Sequence, residues 1–543
     1  MDLYEFSWTA TRIRERAKAE GRLTENPDEN TLRAMLLRQP ETTETAYGSF
    51  VANSEPTSRA ASFTKNSVDS EFGDEEERLL AKCEAEMSTM RLVSVDRIVG
   101  AKTSTTTVRL TVPESFAHVA YGGPNLFLPT DGAVAEPTYE IIMFGDDNFE
   151  SNKALPLAQK DITIRLAMLD DGRVVKIVRN SNYIGEYKKG VFAAHDWAAK
   201  AHAKGIFLHA GCREDRLQST HGDFRTVRTL LVALSANGKT TTTSKVLARK
   251  GNEQSWLVQD DGGTLLPDGS FHGFEGGGVF VKTEGVNPGT QMEIFYGLLK
   301  PSTLCENVAV DETGEFDFYD FKRTSNGRAI VRRSDFMHAS RTIDVDGVEN
   351  LVLITRGPLI PAISRLTCEQ AVALMVLGQA MESSAGNPAH AGKVKSEFFY
   401  DPFVAGDRAT HANRFYEIVK GLPHMNFYLL NTGSIGVQAS ESSADLDEMG
   451  DSRYRDIKLE HTMAILDSLL RGGLEDWEES PTGFEVPRSV RNLDDIYSHP
   501  EKLFVAADFE ENQKALNRIR RDAIERLGQG LDPAVRNVFA DTL

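Results

Sequence analysis

The segment Ala233-Leu-Ser-Ala-Asn-Gly-Lys-Thr-Thr241 carries the residue types that phosphate chemistry needs, in a workable order. The apolar run RTLLVALS leading into it reads as a buried strand, and Thr240 onward opens a helix. At such a junction backbone N–H groups point inward and the positive end of a helix dipole faces the same spot, an arrangement that suits a phosphate. Lys239 would reach the terminal phosphates of a nucleotide, and Thr240 would place a hydroxyl on a magnesium ion. Ser235, Ala236, Asn237, Gly238 and Thr241 make up the rest of the loop. The general pattern is GxxxxGK[ST], and here Ala233 stands where the first glycine belongs. GKT alone could be an ordinary turn; the strand before it and the acids after it favour a nucleotide.

Those acids are Asp260 and Asp261, which close the apolar run SWLVQ. An apolar strand ending in acids about twenty residues beyond a phosphate loop is a natural cation site. Three other features say little by themselves. Lys188 and Lys189 before Gly190 read as a solvated turn. His209 in GIFLHAGC is more often a structural residue than a ligand, and one His with Cys212 does not make a metal site. Arg328 in TSNGR is, taken alone, a charged loop residue.

The elements that must position these residues follow from the pattern of apolar runs. Residues 1 to about 40 read as polar helix, and 41–75, rich in Ser, Thr, Asn and Glu, as a long loop or mobile flap. A charged helix is expected over Glu75–Met90. RLVSVDRIVG, TTTVRLTV, YEIIMFG, DITIRLAML and RVVKIVRN read as strands broken by Gly, Pro, Asp and Asn. Beyond Arg225, VENLVLIT and FYLLNTG are further strands, CEQAVALMVLGQAM is a helix, and the tail from Ile457 is mainly helical. No internal repeat or low-complexity segment stands out.

With 543 residues, 40% hydrophobic and 26% charged, the chain has ordinary globular composition and room for two to four domains. A net charge of −19 argues against nucleic acid as the main ligand. Cys83, Cys212, Cys305 and Cys368 are far apart and contain no CxxC pair, as expected of reduced thiols in a cytoplasmic protein. The N-terminus lacks the pattern of a signal peptide, and LVLITRGPLIPAI, broken by Arg356 and two prolines, is no membrane span.

Together these pieces resemble the ATP-type phosphoenolpyruvate carboxykinases. The loop GLSGTGKTT of that family is similar to ALSANGKTT here. An Asp-Asp strand end, FEGG, Lys282, then Glu306-Asn307-Val308 and a TENTR-like segment ending at Arg328 follow in the same order. YIGEYKKG, IPAISRLT and YLLNTG resemble further family segments, so the likeness runs over roughly residues 92–470. The resemblance implies an α/β fold of two domains, 1–224 for the substrate and 225–543 for ATP, with a P-loop in the second and the nucleotide between them. It implies that Lys189, His209 and Asp261, beside Asp260, bind Mn²⁺, and that Thr240 binds the Mg²⁺ accompanying ATP. It places Lys188 and Lys239 on phosphoryl oxygens and Lys282 near the nucleotide. It places Arg328 on the substrate's anionic end or the phosphate in flight, and Tyr183 and Ser235 in the small-substrate pocket. The implied reaction is the gluconeogenic one, in which oxaloacetate loses CO₂ and the enolate takes the γ-phosphoryl group.

One departure falls at the acceptor end; others are Ala233 and Ala236 in place of loop glycines, ITRGPLIPA in place of the family's lid segment, and GGTLLPDG where an HGW is usual. The family's GRSPKDK-like signature, whose arginine clamps the substrate carboxylate, corresponds to VANSEPTSRA, and Asn53 falls where that arginine belongs. An amide does not replace a planar guanidinium fork. Arg59 and Lys65 are the nearby cations. Three readings therefore stand: the carboxykinase reaction, a small-molecule kinase with another acceptor, and a non-catalytic nucleotide-binding regulator. Oligomeric state is open, with a monomer favoured, and neither nucleic acid nor membrane is expected as a partner.

Overall fold

The computed structural model describes residues 1–57, 60–132, 134–202, 205–233, 237–249, 251–381, 394–400, 403–436 and 453–540. The fold is mixed α/β and forms two compact units, each discontinuous in sequence. The first comprises 1–207, 272–343 and 403–406; the second comprises 208–271, 344–402 and 407–543. A single division at 224/225 differs from this, since Phe224 opens a strand that lies wholly in the second unit. Lys282 and Arg328 consequently belong with the N-terminal part of the chain rather than with the ATP domain expected over 225–543.

In the first unit, the five runs that read as strands are strands. Leu92–Ile98, Thr107–Pro113, Tyr139–Phe144, Val174–Arg179 and Thr163–Met168 adjoin in that order in a mixed sheet. Their alternation explains the layers. Val93, Val95, Val108, Leu110, Ile141 and Met143 face one core, while Leu92, Ile142, Phe144, Val175 and Ile177 face the helices Tyr4–Ala19 and Asp74–Met87.

The segment 41–75 is not simply a loop or flap. Thr42–Glu44, Phe50–Ala52 and Thr64–Asn66 are strands. Phe50–Ala52 lies inside a second sheet of order Gly278–Lys282, Arg328–Arg332, Leu304–Glu306, Phe50–Ala52, Thr42–Glu44. Phe50 and Ala52 are fully buried. Three residues are too few to show a period, so the partner strand, not the local pattern, decides the conformation.

The second unit is built on an eight-stranded sheet that includes Gln254–Gln259, Ala210–Gln218, Phe224–Ala233, Asn350–Thr355 and Asn426–Asn431 as neighbours in that order. Leu231, Ala233, Val352, Ile354 and Leu430 pack with Ile465 and Leu469 of the helix Leu459–Leu470. Arg471, just beyond that helix, ties the far side of the unit together. It pairs with Glu253 through both terminal nitrogens, pairs with Asp467 at 2.7 Å, and donates to the carbonyls of Gln218 and Leu247. The Arg471 guanidinium holds Glu253 down at about 2. A carboxylate depressed in this way stabilises the fold above its ordinary range near 4.5 and loses that contribution as pH falls toward 2. Arg471→Ala is therefore expected to lower stability by about 2–4 kcal/mol at pH 7. The deficit, measured by urea denaturation, should shrink between pH 5 and pH 3.

All four cysteines are free, and among the described residues no helix is long and apolar enough to cross a membrane.

Candidate active site residues

The second unit carries the nucleotide-type residues. The strand Phe224–Ala233 runs toward the loop, of which Ser235 and Ala236 lie outside the described residues. Gly238, at φ 85°, caps the helix Lys239–Ser244 in the left-handed region that glycine alone adopts cheaply. Thr432 Oγ1 donates to the Asn237 carbonyl at 3.0 Å, fixing the residue before the glycine. Thr240 and Thr241 follow Lys239 in the first turn of the helix.

Lys239 is buried, and its Nζ lies against Asp261 Oδ1. The same carboxylate oxygen is 2.9 Å from His209 Nε2. Asp260, fully buried, follows directly on the strand Gln254–Gln259, so the strand end delivers both acids. Lys239, His209, Asp260 and Asp261 are thus brought together within one unit. The imidazole nitrogen and the carboxylate oxygen converge as an N,O donor pair, which suits a divalent first-row cation. Among the described residues no group of three or more His, Cys, Asp or Glu is arranged to hold a metal.

Two residues missed in the sequence shape this group. Arg213 is fully buried and grips Asp215 through two hydrogen bonds of 2.6 and 2.8 Å. It also donates to the carbonyls of Thr242 and Lys245 at 2.5 and 2.8 Å, satisfying carbonyls at the C-terminal end of the Lys239–Ser244 helix. Gly211 is the other. A Cβ there would meet Thr243 Oγ1 at 2.4 Å and the Asp260 carbonyl at 2.9 Å, so only glycine lets helix and strand end approach this closely. Neither has a motif; an arginine alternating with acids in REDR reads as a surface strand.

The first unit carries the other candidates. Tyr183 precedes the helix Gly185–His202, which presents Lys188 and Lys189 in its first turns. Lys188 Nζ pairs with buried Glu275 of the FEGG segment at 2.9 Å, and lies 5.2 Å and 5.1 Å from the ring centres of Phe192 and Phe280. Lys189 Nζ donates to Glu186 at 3.0 Å and sits 5.3 Å over the Tyr183 ring. Burial alone would raise Glu186, but Lys189 and Lys176 outweigh it and hold the carboxyl down at about 2. Both lysines are ion-pair members on a helix, Lys188 buried and Lys189 partly so, not a solvated turn.

Arg328, Lys282 and Glu306 form one row across the second sheet, since Arg328 is in register with Lys282 on one side and Glu306 on the other. Glu284 lies 3.7 Å from both cations. Glu306, fully buried, accepts the Ile184 N–H at 2.9 Å and so ties this row to the turn that holds Tyr183. Burial pushes its carboxyl up to about 7, with Arg328 and Lys189 working the other way. The unit therefore brings Tyr183, Lys188, Lys189, Lys282 and Arg328 into one connected set.

Residues 22–496 match the family model described as phosphoenolpyruvate carboxykinase. The chain belongs to this family. It is 28% identical over 442 residues to the phosphoenolpyruvate carboxykinase (ATP) of Aeropyrum pernix, covering 80% of each chain. It is 27% identical over 351 residues to that of a Chelativorans species, covering 63% of this chain but only 59% of the relative. It is 25% identical over 375 residues to the glycosomal enzyme of Trypanosoma cruzi, covering 67% of this chain and 72% of the other.

Against this family background the segment around Asn53 gains interest. Asn53 follows the buried strand Phe50–Ala52, and Ala52 is in register with Glu306. Arg59 lies outside the described residues, and Lys65 pairs with Glu75 at the surface, so Lys65 offers no clamp here. Two cations reach this segment: Lys160, whose Nζ donates to Glu55 at 3.0 Å, and Arg323. Arg323 donates to Asn307 Oδ1 at 3.1 Å and to the Ser54 carbonyl at 3.3 Å, and lies 3.6 Å from Glu55. Thr324 and Asn326 both donate to the Thr57 carbonyl, clasping the two loops together.

Proposed function

We propose that the chain is an ATP-dependent phosphoenolpyruvate carboxykinase that decarboxylates oxaloacetate and transfers the γ-phosphoryl group of ATP to the enolate. The observation that supports this best is the convergence of Lys239, Asp261 and His209, next to a helix that opens on Gly238-Lys239. In this reading the segment 233–241 is a P-loop in a C-terminal mononucleotide-binding fold. Lys239 leaves Asp261 to donate to the β- and γ-phosphoryl oxygens, which a point cation does well. Ser235, Ala236, Asn237, Gly238 and Thr241 line the phosphate chain, and Lys282 steadies the nucleotide.

His209, Asp261 and Lys189 would hold Mn²⁺, with Asp260 behind them, and Thr240 would hold Mg²⁺. When bound, these cations supply Lewis acidity and neutralise phosphoryl charge. Lys189 is a ligand only as the neutral amine, so it must give its proton up and release Glu186. Lys188, held by Glu275, offers a fixed ammonium to the phosphoryl group in flight. Arg328 binds the anionic end of the acceptor, and Tyr183 lines its pocket. The two sets of residues serve one reaction in this proposal, on small-molecule substrates and in the cytoplasm.

A second reading is phosphoryl transfer to another small acceptor, and Asn53 is the observation that favours it. One assay separates the two. Purified protein with Mn²⁺, Mg²⁺ and ATP is given oxaloacetate, and phosphoenolpyruvate is measured. The carboxykinase reading expects phosphoenolpyruvate to appear with matching ADP. ATP consumption with other acceptors but none with oxaloacetate would establish the second reading instead.

A further inference from the structure

The segment 53–57 leaves the second sheet at the end of the row Lys282, Arg328, Glu306, Ala52. It is then held from two sides within the first unit. On one side Asn182, next to Tyr183, accepts the Glu55 N–H on Oδ1 at 2.7 Å and donates its own N–H to the Glu55 carbonyl at 2.9 Å. On the other side Asn307, next to Glu306, accepts the Ser54 N–H on Oδ1 and donates its amide to Ser54 Oγ, both at 2.9 Å. Arg323 binds the same Asn307 Oδ1 through Nε, so its guanidinium is fixed beside this segment.

The two cations here differ in what they have left to give. Lys160 is saturated: its Nζ donates to Glu55 Oε2 at 3.0 Å and to the carbonyls of Asn152 and Lys153 at 2.5 and 3.4 Å, which uses all three N–H groups. Its side chain is 7% exposed. The Arg323 side chain is 40% exposed. Of its five N–H groups, Nε serves Asn307 and one on Nη2 serves the Ser54 carbonyl at a long 3.3 Å. Nη1 has no acceptor among the described residues. The one acid within ion-pair distance of Arg323 among those residues is Glu55, 3.6 Å away and already held by Lys160, so two cations share one carboxylate. Fastening the loops does not account for this arginine, because Thr324 and Asn326 already clasp the segment through the Thr57 carbonyl.

We propose that Arg323 is a specificity-determining residue that takes one carboxylate of a small dicarboxylate acceptor, with Glu55 as the internal counter-ion it gives up on binding. This rests on the carboxykinase reading, whose acceptor, oxaloacetate, carries a carboxylate at each end. Arg328 faces one anionic end and already lies 3.7 Å from Glu284, so the second negative charge needs another cation. Nη1 and the weakly held Nη2 of Arg323 form the end-on fork that matches two carboxylate oxygens. Nε stays on Asn307 and sets the plane of that fork. Lys160 keeps Glu55 paired when Arg323 turns to the acceptor, so the exchange leaves no carboxylate without a partner.

The test uses the full chain and calorimetric titration of malonate, a dicarboxylate that cannot react. Arg323→Gln is expected to raise the malonate Kd by about tenfold or more, the loss of a charge-assisted fork. Arg323→Lys should recover only part of it, because a point cation does not replace the fork. Glu55→Gln removes the competing carboxylate and should tighten malonate by about two- to fivefold, and the gain should vanish in Arg323→Gln/Glu55→Gln. In the oxaloacetate assay Arg323→Gln should raise the KM for oxaloacetate and leave the KM for ATP unchanged. A parent that forms no phosphoenolpyruvate sinks the carboxykinase reading alone, and the malonate titrations still judge Arg323. No malonate binding by the parent, an unchanged Kd in Arg323→Gln, or a Glu55→Gln gain that persists without Arg323 would each overturn the proposal. A lower Tm in Arg323→Gln with both KM values raised would reduce Arg323 to a loop fastener and overturn it too.

Discussion

Lys239→Ala is expected to remove ATP-dependent turnover, with kcat falling by at least about 10²–10³-fold, the loss seen when one preorganised donor to developing charge is deleted. The side chain is buried against Asp261, so its loss also takes a partner from that carboxylate. The fold should survive, because Lys239 packs no apolar cluster and the cap at Gly238 is backbone geometry. Steady-state kinetics at saturating ATP, with thermal unfolding as the control, checks both points. Lys239→Arg is the sharper variant. It keeps the charge but replaces a point cation by a planar fork in a buried space, and it should recover ATP binding more than rate. Activity near that of the parent in Lys239→Ala would mean the loop does not hold the reacting phosphates.

The second large effect is expected at Arg213. Arg213→Met fills a similar volume but strands Asp215, whose side chain is fully buried, without its partner. Breaking a buried pair from one side costs about 3–5 kcal/mol, a large share of the stability of any domain. Two helix-end carbonyls lose their donor at the same time. Urea denaturation should show the lower midpoint. The KM for ATP should rise as well, because the helix that carries Lys239 is no longer pinned at its other end. The double variant Arg213→Met/Asp215→Leu removes both charges and should recover much of the stability. If it also recovers the KM, Arg213 acts on ATP binding only through stability, and its role as a positioning residue is lost.

The grouping of Lys239 with Asp260 and Asp261 was legible because its sequence signal is local. A strand ending at Ala233 is followed within six residues by a glycine with positive φ and a lysine, and Asp260-Asp261 close the next strand of the pattern. The grouping of Arg328, Lys282, Lys188 and Lys189 was legible only as motifs. Nothing in TSNGR says that Arg328 is in register with Lys282 and Glu306, because that row is made by strands far apart in sequence. Lys188 and Lys189 look like solvated charges until Glu275 and Glu186 are seen to pair with them. Arg213 failed for the same reason: its acid partner is two residues away, but the carbonyls it serves are about thirty residues on. Strand runs with a clear period were readable; Phe50–Ala52 was not, because its burial comes from Leu304–Glu306.

That last pairing has a consequence for how the chain is made. Phe50–Ala52 runs parallel to Leu304–Glu306, so roughly 250 residues must leave the ribosome before the strand finds its neighbour. At about 5–20 residues per second, the wait is on the order of 10–50 s. Through that interval the nascent chain displays Phe50 and Val51 with unsatisfied backbone groups on one side, while the whole segment 208–271 of the other unit is synthesised. This strand is thus completed only when more than half of the 543 residues have been made. Newborn chains should depend on holding chaperones more than their finished stability suggests, and truncation before residue 304 should leave this strand prone to aggregation.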